Sequence, residues 1–149
     1  MTPEPVKKKI LVVDDELNMR IFLCNLLCNR GYEAIDAANC VEGMQKAKAE
    51  KPALIILDVM MPKENGIQMY RELNDNKKLK HIPVVMLSTI DKKTFSYYHK
   101  FRNVPLEKGF LESSAYLEKP FEAETLISLV NQMISSGKVG LADPVGDST

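Results

Sequence analysis

The sequence predicts an α/β fold in which a parallel β-sheet is covered by helices on both faces. Short apolar runs alternate along the chain with segments whose apolar residues recur at helical spacing. The runs at residues 10–13, 53–57 and 84–87 are continuous, which is typical of strands buried on both faces of a sheet. Strands that alternate with helices are joined by right-handed crossovers, so we expect the sheet to be parallel.

The first half of the chain predicts two strand–helix pairs. The strand at residues 10–13 ends at two aspartates, and a helix follows within residues 16–32. Gly31 suits the C-terminal cap of that helix. A short strand within residues 33–39 and a helix within residues 41–51 complete this half. The core-facing stripe of the first helix is predicted to be Met19, Phe22, Leu23 and Leu26.

The second half predicts three strands and at least two helices. A buried strand ends at Asp58 and is followed by a helix within residues 65–75. The next strand contains Pro83, which a strand tolerates only at its start. A short strand within residues 114–120 and an amphipathic helix within residues 122–136 close the folded part.

Length and composition predict one soluble domain. The chain has 149 residues, of which 45% are hydrophobic and 27% charged. We expect a lead-in at residues 1–7, a folded domain at residues 8–136 and a flexible tail or linker stub at residues 137–149. Twenty basic and twenty acidic residues give no net charge, which disfavours nucleic acid or a membrane as a partner. No apolar run approaches the roughly 20 residues of a membrane span. Three cysteines without a signal peptide favour the cytoplasm.

Polar side chains stand where the predicted strands end. The first strand ends at Asp14 and Asp15, and the third ends at Asp58. Ser88 ends the next strand, and Lys119 follows the last one. Because ligands bind at the carboxyl ends of parallel strands, we expect these five side chains to meet at one edge of the sheet.

Three carboxylates at one edge repel one another unless a cation lies between them. Mg²⁺ prefers oxygen ligands, and the cluster has no histidine or cysteine that would favour zinc. A carboxylate beside Mg²⁺ can act as a nucleophile toward a phosphoryl group, whose charge the metal and a lysine would stabilise. Asp58 would then become an aspartyl phosphate.

Four sequence blocks resemble the motifs of the response-regulator receiver domain of two-component signal transduction, the CheY-like superfamily. They are "ILVVDDE", "LIILDVMMPKENG", "VVMLST" and "YLEKPF", in order and at similar spacing. The resemblance extends from about residue 8 to residue 135. It implies a flavodoxin-like, doubly wound sheet of five parallel strands in the order 2-1-3-4-5, flanked by five helices.

The resemblance also implies a role for each residue at the sheet edge. Asp58 would be the phosphoacceptor. Lys119 would contact the phosphoryl group and precede Pro120 through a cis peptide bond. Ser88 would be the switch hydroxyl, which also assists the transfer, and Tyr116 the switch aromatic. The implied Mg²⁺ ligands are Asp14, Asp15, Asp58 and the backbone carbonyl of Met60.

Each of these residues also has a plainer interpretation. Asp14 and Asp15 could cap the first helix, as acids before a helix often do. Ser88 could cap the following segment, and Lys119 could belong to an ordinary surface turn. Tyr116 could simply be a core aromatic. The plainer interpretations weaken because all the blocks occur together.

The predicted function is a phosphorylation-controlled switch and not a separate enzyme. Asp58 would accept a phosphoryl group from a histidine kinase or a histidine phosphotransfer protein, and the change would alter partner binding. One alternative is a Mg²⁺-dependent phosphatase with an aspartate nucleophile, which usually needs a second acid where this chain has Met60. Another alternative is a phosphorylation-independent interaction module, which the complete set of site residues disfavours.

The segment between the fourth and fifth strands is longer than the family pattern. Ser88 and Tyr116 are 28 positions apart. A lengthened helix followed by a loop is predicted here, and some of its aromatic side chains are expected to be exposed. We expect the face formed by residues 90–116 to bind an output partner or a second copy. The aromatic residues are Phe95, Tyr97, Tyr98, Phe101 and Phe110.

The first helix carries two cysteines four positions apart. Cys24 and Cys28 are predicted to lie roughly opposite the core stripe, where they form a small apolar patch with Ile21. The patch could be neutral surface. The resemblance offers a second interpretation, in which the patch docks the histidine-containing helix bundle of the phosphodonor.

Overall fold

The computed structural model describes residues 7–59, 66–89 and 114–136. Five strands and four helices lie within these ranges. The strands are β1 (Lys9–Val13), β2 (Glu33–Ala37), β3 (Leu54–Asp58), β4 (Val84–Ser88) and β5 (Ser114–Glu118). The helices are α1 (Leu17–Asn29), α2 (Cys40–Glu50), α3 (Gly66–Asp75) and α4 (Ala123–Ser136). The additional helix predicted between β4 and β5 lies outside the described residues.

The five strands form one parallel sheet in the order β2-β1-β3-β4-β5. This order confirms the predicted doubly wound topology. β3 lies at the centre, with β1 on one side and β4 on the other. The order reverses next to β1, so the carboxyl ends of β1 and β3 flank the crevice in which such folds bind ligands.

Two apolar cores cover the two faces of the sheet, because alternate strand residues point to opposite faces. The first core joins the sheet to α2 and α3; it includes Leu11, Val13, Ile55, Leu57, Ala47, Met69, Tyr70 and Leu73. The second core joins the sheet to α1 and α4; it includes Ile10, Val12, Leu54, Ile56, Leu23, Leu27, Leu126, Ile127 and Val130. Helices therefore cover both faces, as predicted.

Helix α1 is rotated relative to its predicted orientation. Leu23 and Leu27 are fully buried, but Phe22 is 45% exposed, so the prediction that Phe22 faces the core is wrong. Cys24 packs against the second core, which corrects its placement opposite the core. The helix also faces β2, whose Ala34 packs against the same core, so Cys24 turns toward the sheet and Phe22 turns outward.

The ends of the helices follow local sequence signals. Gly31, with φ +94°, follows α1 in the left-handed conformation that its predicted capping role requires. At the start of α2, the Asn39 side chain accepts a hydrogen bond from Glu42 N at 2.8 Å. Glu42 Oε1 in turn accepts one from Ala38 N at 2.9 Å, which fixes the loop between β2 and α2. None of the described helices has the length and apolar character needed to cross a membrane.

Candidate functional site

The side chains predicted to form the site lie at the carboxyl edge of the sheet. Asp14 directly follows β1, and Asp58 is the last residue of β3. Ser88 is the last residue of β4, and Lys119 directly follows β5. The Lys119–Pro120 peptide bond is cis, as the resemblance implied. Lys119 N donates a hydrogen bond to Ser88 O at 2.7 Å, which ties the last two strand ends together.

Three carboxylates converge at this edge. Asp14, Asp15 and Asp58 each offer one oxygen, and these oxygens lie within 4.8 Å of one another. Asp14 is 1% exposed and Asp58 is 6% exposed, whereas Asp15 is exposed. The cluster therefore has two acids in the core and one facing solvent.

A lysine ammonium lies against the two buried acids. Lys119 Nζ is 3.5 Å from Asp58 Oδ2 and 3.7 Å from Asp14 Oδ2. Its side chain is 18% exposed, so solvent screens these ion pairs only in part. The ammonium offsets part of the repulsion between Asp14 and Asp58.

Asp14 is held by a hydrogen bond at every polar atom except one carboxylate oxygen. Its N donates to Ala37 O at 3.1 Å, and its Oδ1 accepts from Glu16 N at 2.8 Å. Its backbone O accepts from Arg20 Nη1 at 2.8 Å. Oδ2 is buried and has no hydrogen-bond partner among the described residues.

The electrostatics of Asp14 reflect this burial. Burial raises the pKa of the Asp14 carboxyl from 3.8 to about 6, and the Asp58 carboxylate adds to the rise. The hydrogen bond from Glu16 N and the Lys119 ammonium act in the opposite direction without cancelling it. A buried carboxylate oxygen that lacks a donor and stands beside two other carboxylates is suited to a divalent cation.

The donor set fits Mg²⁺. Three carboxylate oxygens at one open edge match a hard cation that takes oxygen ligands and keeps several waters. Asp14, Asp15 and Asp58 would hold it. Met60, whose backbone carbonyl is the fourth predicted ligand, lies outside the described residues.

The two predicted switch residues are Ser88 and Tyr116. Ser88 is fully buried at the end of β4. Tyr116 is half-buried on β5, opposite Met86 of β4, and it packs against the first core. The enlarged segment between them, residues 90–113, lies outside the described residues.

Two further residues shape the site and were missed in the sequence. Gly66, at the start of α3, lies against the end of β3, where a Cβ atom would come within 2.7 Å of Asp58 O and 2.6 Å of Val59 Cα. Glycine is therefore required for α3 to approach Asp58. An Asn-Gly pair such as Asn65-Gly66 is a turn signal in a sequence, but it does not indicate this close approach. The second missed residue is Arg20, whose contacts with β1 and β2 no local pattern predicts.

Known proteins resemble the chain along most of its length. The response regulator receiver domain family matches residues 10–131. Protein PilH of Pseudomonas aeruginosa is 30% identical over 127 residues, which cover 85% of this chain and 98% of PilH. The alkaline phosphatase synthesis transcriptional regulatory protein PhoP of Bacillus subtilis is 35% identical over 135 residues. That match covers 90% of this chain but only 51% of PhoP, so the chain spans about half of that regulator.

A solved structure shows a similar fold along most of the chain. The chemotaxis protein CheY4 of Vibrio cholerae superimposes with a TM-score of 0.73 at 28% identity, and the match covers 86% of this chain and 99% of CheY4. Fold, motif order and family match are therefore consistent. The chain belongs to the response regulator receiver domain family, whose members are phosphorylation-controlled switches of two-component signal transduction.

Proposed function

We propose that Asp58 accepts the phosphoryl group and that Asp14, Asp15 and the Met60 carbonyl hold Mg²⁺ beside it. The observation that carries this proposal is the position of the Asp58 carboxylate. It is 6% exposed at the end of β3, with the Lys119 ammonium 3.5 Å away and the Asp14 and Asp15 carboxylates beside it. When bound, Mg²⁺ would supply positive charge against the phosphoryl oxygens.

The reaction begins with a phosphohistidine on a donor protein. A carboxylate oxygen of Asp58 forms a bond to phosphorus, and the bond between phosphorus and the imidazole nitrogen breaks. The electron pair of that bond stays on the imidazole, which can take a proton from solvent. Lys119 Nζ stabilises the charge on the transferred group, since it already lies between the Asp58 and Asp14 carboxylates.

Asp58 suits the acceptor role better than either of its acidic neighbours. Asp14 Oδ1 already accepts a hydrogen bond from Glu16 N, and its carbonyl is held by Arg20. Asp15 is exposed, so water competes for its carboxylate. Asp58 lies at the centre of the edge, because β3 is paired with β1 on one side and β4 on the other.

Phosphorylation at Asp58 would be sensed on the neighbouring strands. The buried Ser88 hydroxyl, at the end of β4, would bond to the new phosphoryl group and assist its transfer. Movement of Ser88 would make room for Tyr116, which is only half-buried on the edge strand β5. Re-packing of Tyr116 would change the surface formed by residues 90–116, which we propose binds an output partner or a second copy.

The phosphodonor is proposed to dock on an exposed apolar patch at α1. The patch comprises Leu17, Ile21, Phe22 and Cys28, of which Leu17 is 57%, Ile21 is 50% and Phe22 is 45% exposed, and Cys28 is also exposed. Cys24 packs against the second core, so it is not part of the patch. Receiver domains interact with histidine kinases, and either a kinase or a histidine phosphotransfer protein would present the phosphohistidine here. We place this exchange in the cytoplasm and assign it to a domain at residues 8–136, with residues 137–149 as a tail or linker.

The proposal is tested with acetyl phosphate as a small phosphodonor. With Mg²⁺ present, the intact mass of the protein should rise by one phosphoryl group, and the rise should disappear when Mg²⁺ is removed by a chelator. Asp58→Asn should abolish it, because an amide is not a nucleophile toward phosphorus. Asp75→Asn, at an exposed position at the end of α3, is the matched control and should behave like the wild type. A mass gain that persists in Asp58→Asn would remove Asp58 from the acceptor role.

A further inference from the structure

Arg20 of α1 connects three elements next to the acidic cluster. Its Nε donates to Asp36 Oδ2 of β2 at 2.9 Å, and its Nη1 donates to the backbone O of Asp14 at 2.8 Å. Its side chain is 14% exposed. A guanidinium presents several N–H donors in a rigid plane, so two acceptors, one on β2 and one directly after β1, fix its orientation.

The contact with Asp14 completes a set of hydrogen bonds that orients this residue. Asp14 N donates to Ala37 O, and Asp14 Oδ1 accepts from Glu16 N, so the partner atom is a backbone atom in both hydrogen bonds. The hydrogen bond from Arg20 is the side-chain contribution to this set, and it holds the peptide that joins Asp14 to Asp15. With these atoms held, Oδ2 is the oxygen that remains for a cation.

We propose that Arg20 is a positioning residue for the metal site, because it holds the Asp14–Asp15 peptide so that both carboxylates face Asp58. This inference rests on the proposed function, since it assigns Arg20 a role at the same site. The hydrogen bonds of Arg20 are to Asp36 and to the backbone of Asp14, so Arg20 would contact neither the phosphoryl group nor the metal. It acts through the backbone of the residues that do.

Contacts with α2 hold Asp36 in place for its hydrogen bond with Arg20. The backbone O of Asp36 accepts a hydrogen bond from Lys46 Nζ, and Lys46 forms an ion pair with Glu42 at 3.2 Å. Glu42 also accepts from Ala38 N, so α2 and the loop after β2 hold the strand that anchors Arg20. The guanidinium is paired with a carboxylate, which reduces its net effect on the charge of the acidic cluster. Arg20 therefore affects the metal site through the position of the Asp14 backbone and not through its charge.

The competing explanation is an ordinary structural ion pair. The Asp36 side chain is 47% exposed, and ion pairs at such positions contribute little to stability. A structural ion pair would change thermal stability and leave the affinity for Mg²⁺ unchanged. A positioning residue would weaken Mg²⁺ binding beyond any loss of stability.

The test compares Mg²⁺ dissociation constants measured by calorimetry on the full chain. Arg20→Gln should weaken Mg²⁺ binding by about tenfold or more, since outer contacts of metal ligands typically contribute 10- to 100-fold. Arg20→Lys should restore part of the affinity, because an ammonium can reach one acceptor but cannot hold both in the fixed plane. Asp36→Asn should fall between the wild type and Arg20→Gln.

A second measurement needs no metal. In metal-free protein, amide hydrogen exchange at Glu16 N–H, which donates to Asp14 Oδ1, should be faster in Arg20→Gln. Arg30→Gln, at the C-terminal cap of the same helix, is the matched control. Arg30 pairs with Glu124 at the other end of α1, so its loss should change neither Glu16 exchange nor Mg²⁺ affinity.

The outcomes separate this inference from the proposed function. If the wild type binds Mg²⁺ and Arg20→Gln binds it within twofold of the wild type, the positioning role is wrong, whatever the thermal stability shows. If the wild type binds no Mg²⁺, the proposed function and this inference both fail. If Arg20→Gln does not fold, Arg20→Lys and Asp36→Asn provide the same comparison, and unchanged affinity in both would overturn the inference.

Discussion

The two sides of the acidic edge differ in how firmly the fold holds them. One side, formed by the ends of β1 and β3, carries Asp14 and Asp58 on strands that are paired on both of their edges. The other side, formed by the ends of β4 and β5, carries Ser88 and Lys119. Among the described strands, β5 pairs only with β4, so this second side ends at the edge of the sheet.

This difference suggests that the two sides have different functions. The acid side is fixed by backbone hydrogen bonds and by Arg20, so it can present oxygens to a cation with little rearrangement. The edge side, formed by the ends of β4 and β5, contacts Asp58 through the long side chain of Lys119. It also carries the half-buried Tyr116. A site that both binds and responds needs one fixed part and one part that can move. We expect the first part to hold the cation and the phosphoacceptor, and the second part to contact the transferred phosphoryl group and to carry the response.

Removing the lysine should have the largest effect on the edge side. Lys119→Ala should slow phosphorylation by acetyl phosphate by roughly a hundredfold, because a positive charge at the transferred group is lost. Mg²⁺ affinity should stay the same or rise, since an ammonium 3.5 and 3.7 Å from two carboxylates no longer competes with the cation. Initial rates by intact mass and binding by calorimetry check both points.

Lys80→Ala provides the control for removing a lysine, because Lys80 is exposed after α3. It should leave both the rate and the affinity unchanged. If Lys119→Ala binds Mg²⁺ much more weakly than the wild type, cation binding also depends on the edge side, which contradicts the assignment of the two sides.

On the acid side, Asp14→Asn should stabilise the metal-free protein at pH 7. Burial raises the pKa of Asp14 to about 6, so the folded protein keeps a proton that the unfolded chain has already released above pH 4. The free energy of unfolding therefore falls as pH rises from about 4 to about 6. The amide carries no charge and should recover about 3 kcal/mol above that window.

Urea unfolding at several pH values tests this sign. The difference between Asp14→Asn and the wild type should be small near pH 4 and reach its full size above pH 6. Saturating Mg²⁺ should reverse the order, because it stabilises only the protein that binds it. If Asp14→Asn is less stable than the metal-free wild type at pH 7, the buried charge of Asp14 does not destabilise the folded protein.

The smallest effect is expected outside the site, at the α1 patch. Replacing Ile21 and Cys28 together with lysine should slow phosphotransfer from the cognate donor by about fivefold, which corresponds to about 1 kcal/mol of docking energy. Phosphorylation by acetyl phosphate needs no docking and should not change. Gln45→Lys, an exposed position on α2, controls for added charge. Equal transfer from the donor to all three proteins would exclude this patch as the docking surface.

The strands and the site edge could be predicted because their signals are local. A continuous apolar run that ends in an acid describes both a buried strand and the group at its carboxyl end, as at Asp58. The order of the strands came from the resemblance to receiver domains and not from the runs themselves.

The contacts of α1 could not be predicted in the same way. Helical periodicity identified Leu23 but could not decide between its neighbours, and it placed Phe22 inside and Cys24 outside, the reverse of the fold. Arg20 and Asp36 are 16 positions apart and meet only because α1 packs beside β2. Such contacts depend on the relative placement of elements. That the face formed by residues 90–116 binds an output partner or a second copy remains a prediction, because most of that segment lies outside the described residues.

The central claim, that Asp58 carries the phosphoryl group, is tested most directly by locating the modified residue. Borohydride reduces an aspartyl phosphate to homoserine, which peptide mass mapping can place in the sequence. After treatment with acetyl phosphate and Mg²⁺, homoserine should appear at position 58 and at no other aspartate. Homoserine at position 14 or 15, or no homoserine in a protein that has gained a phosphoryl group, would contradict the account.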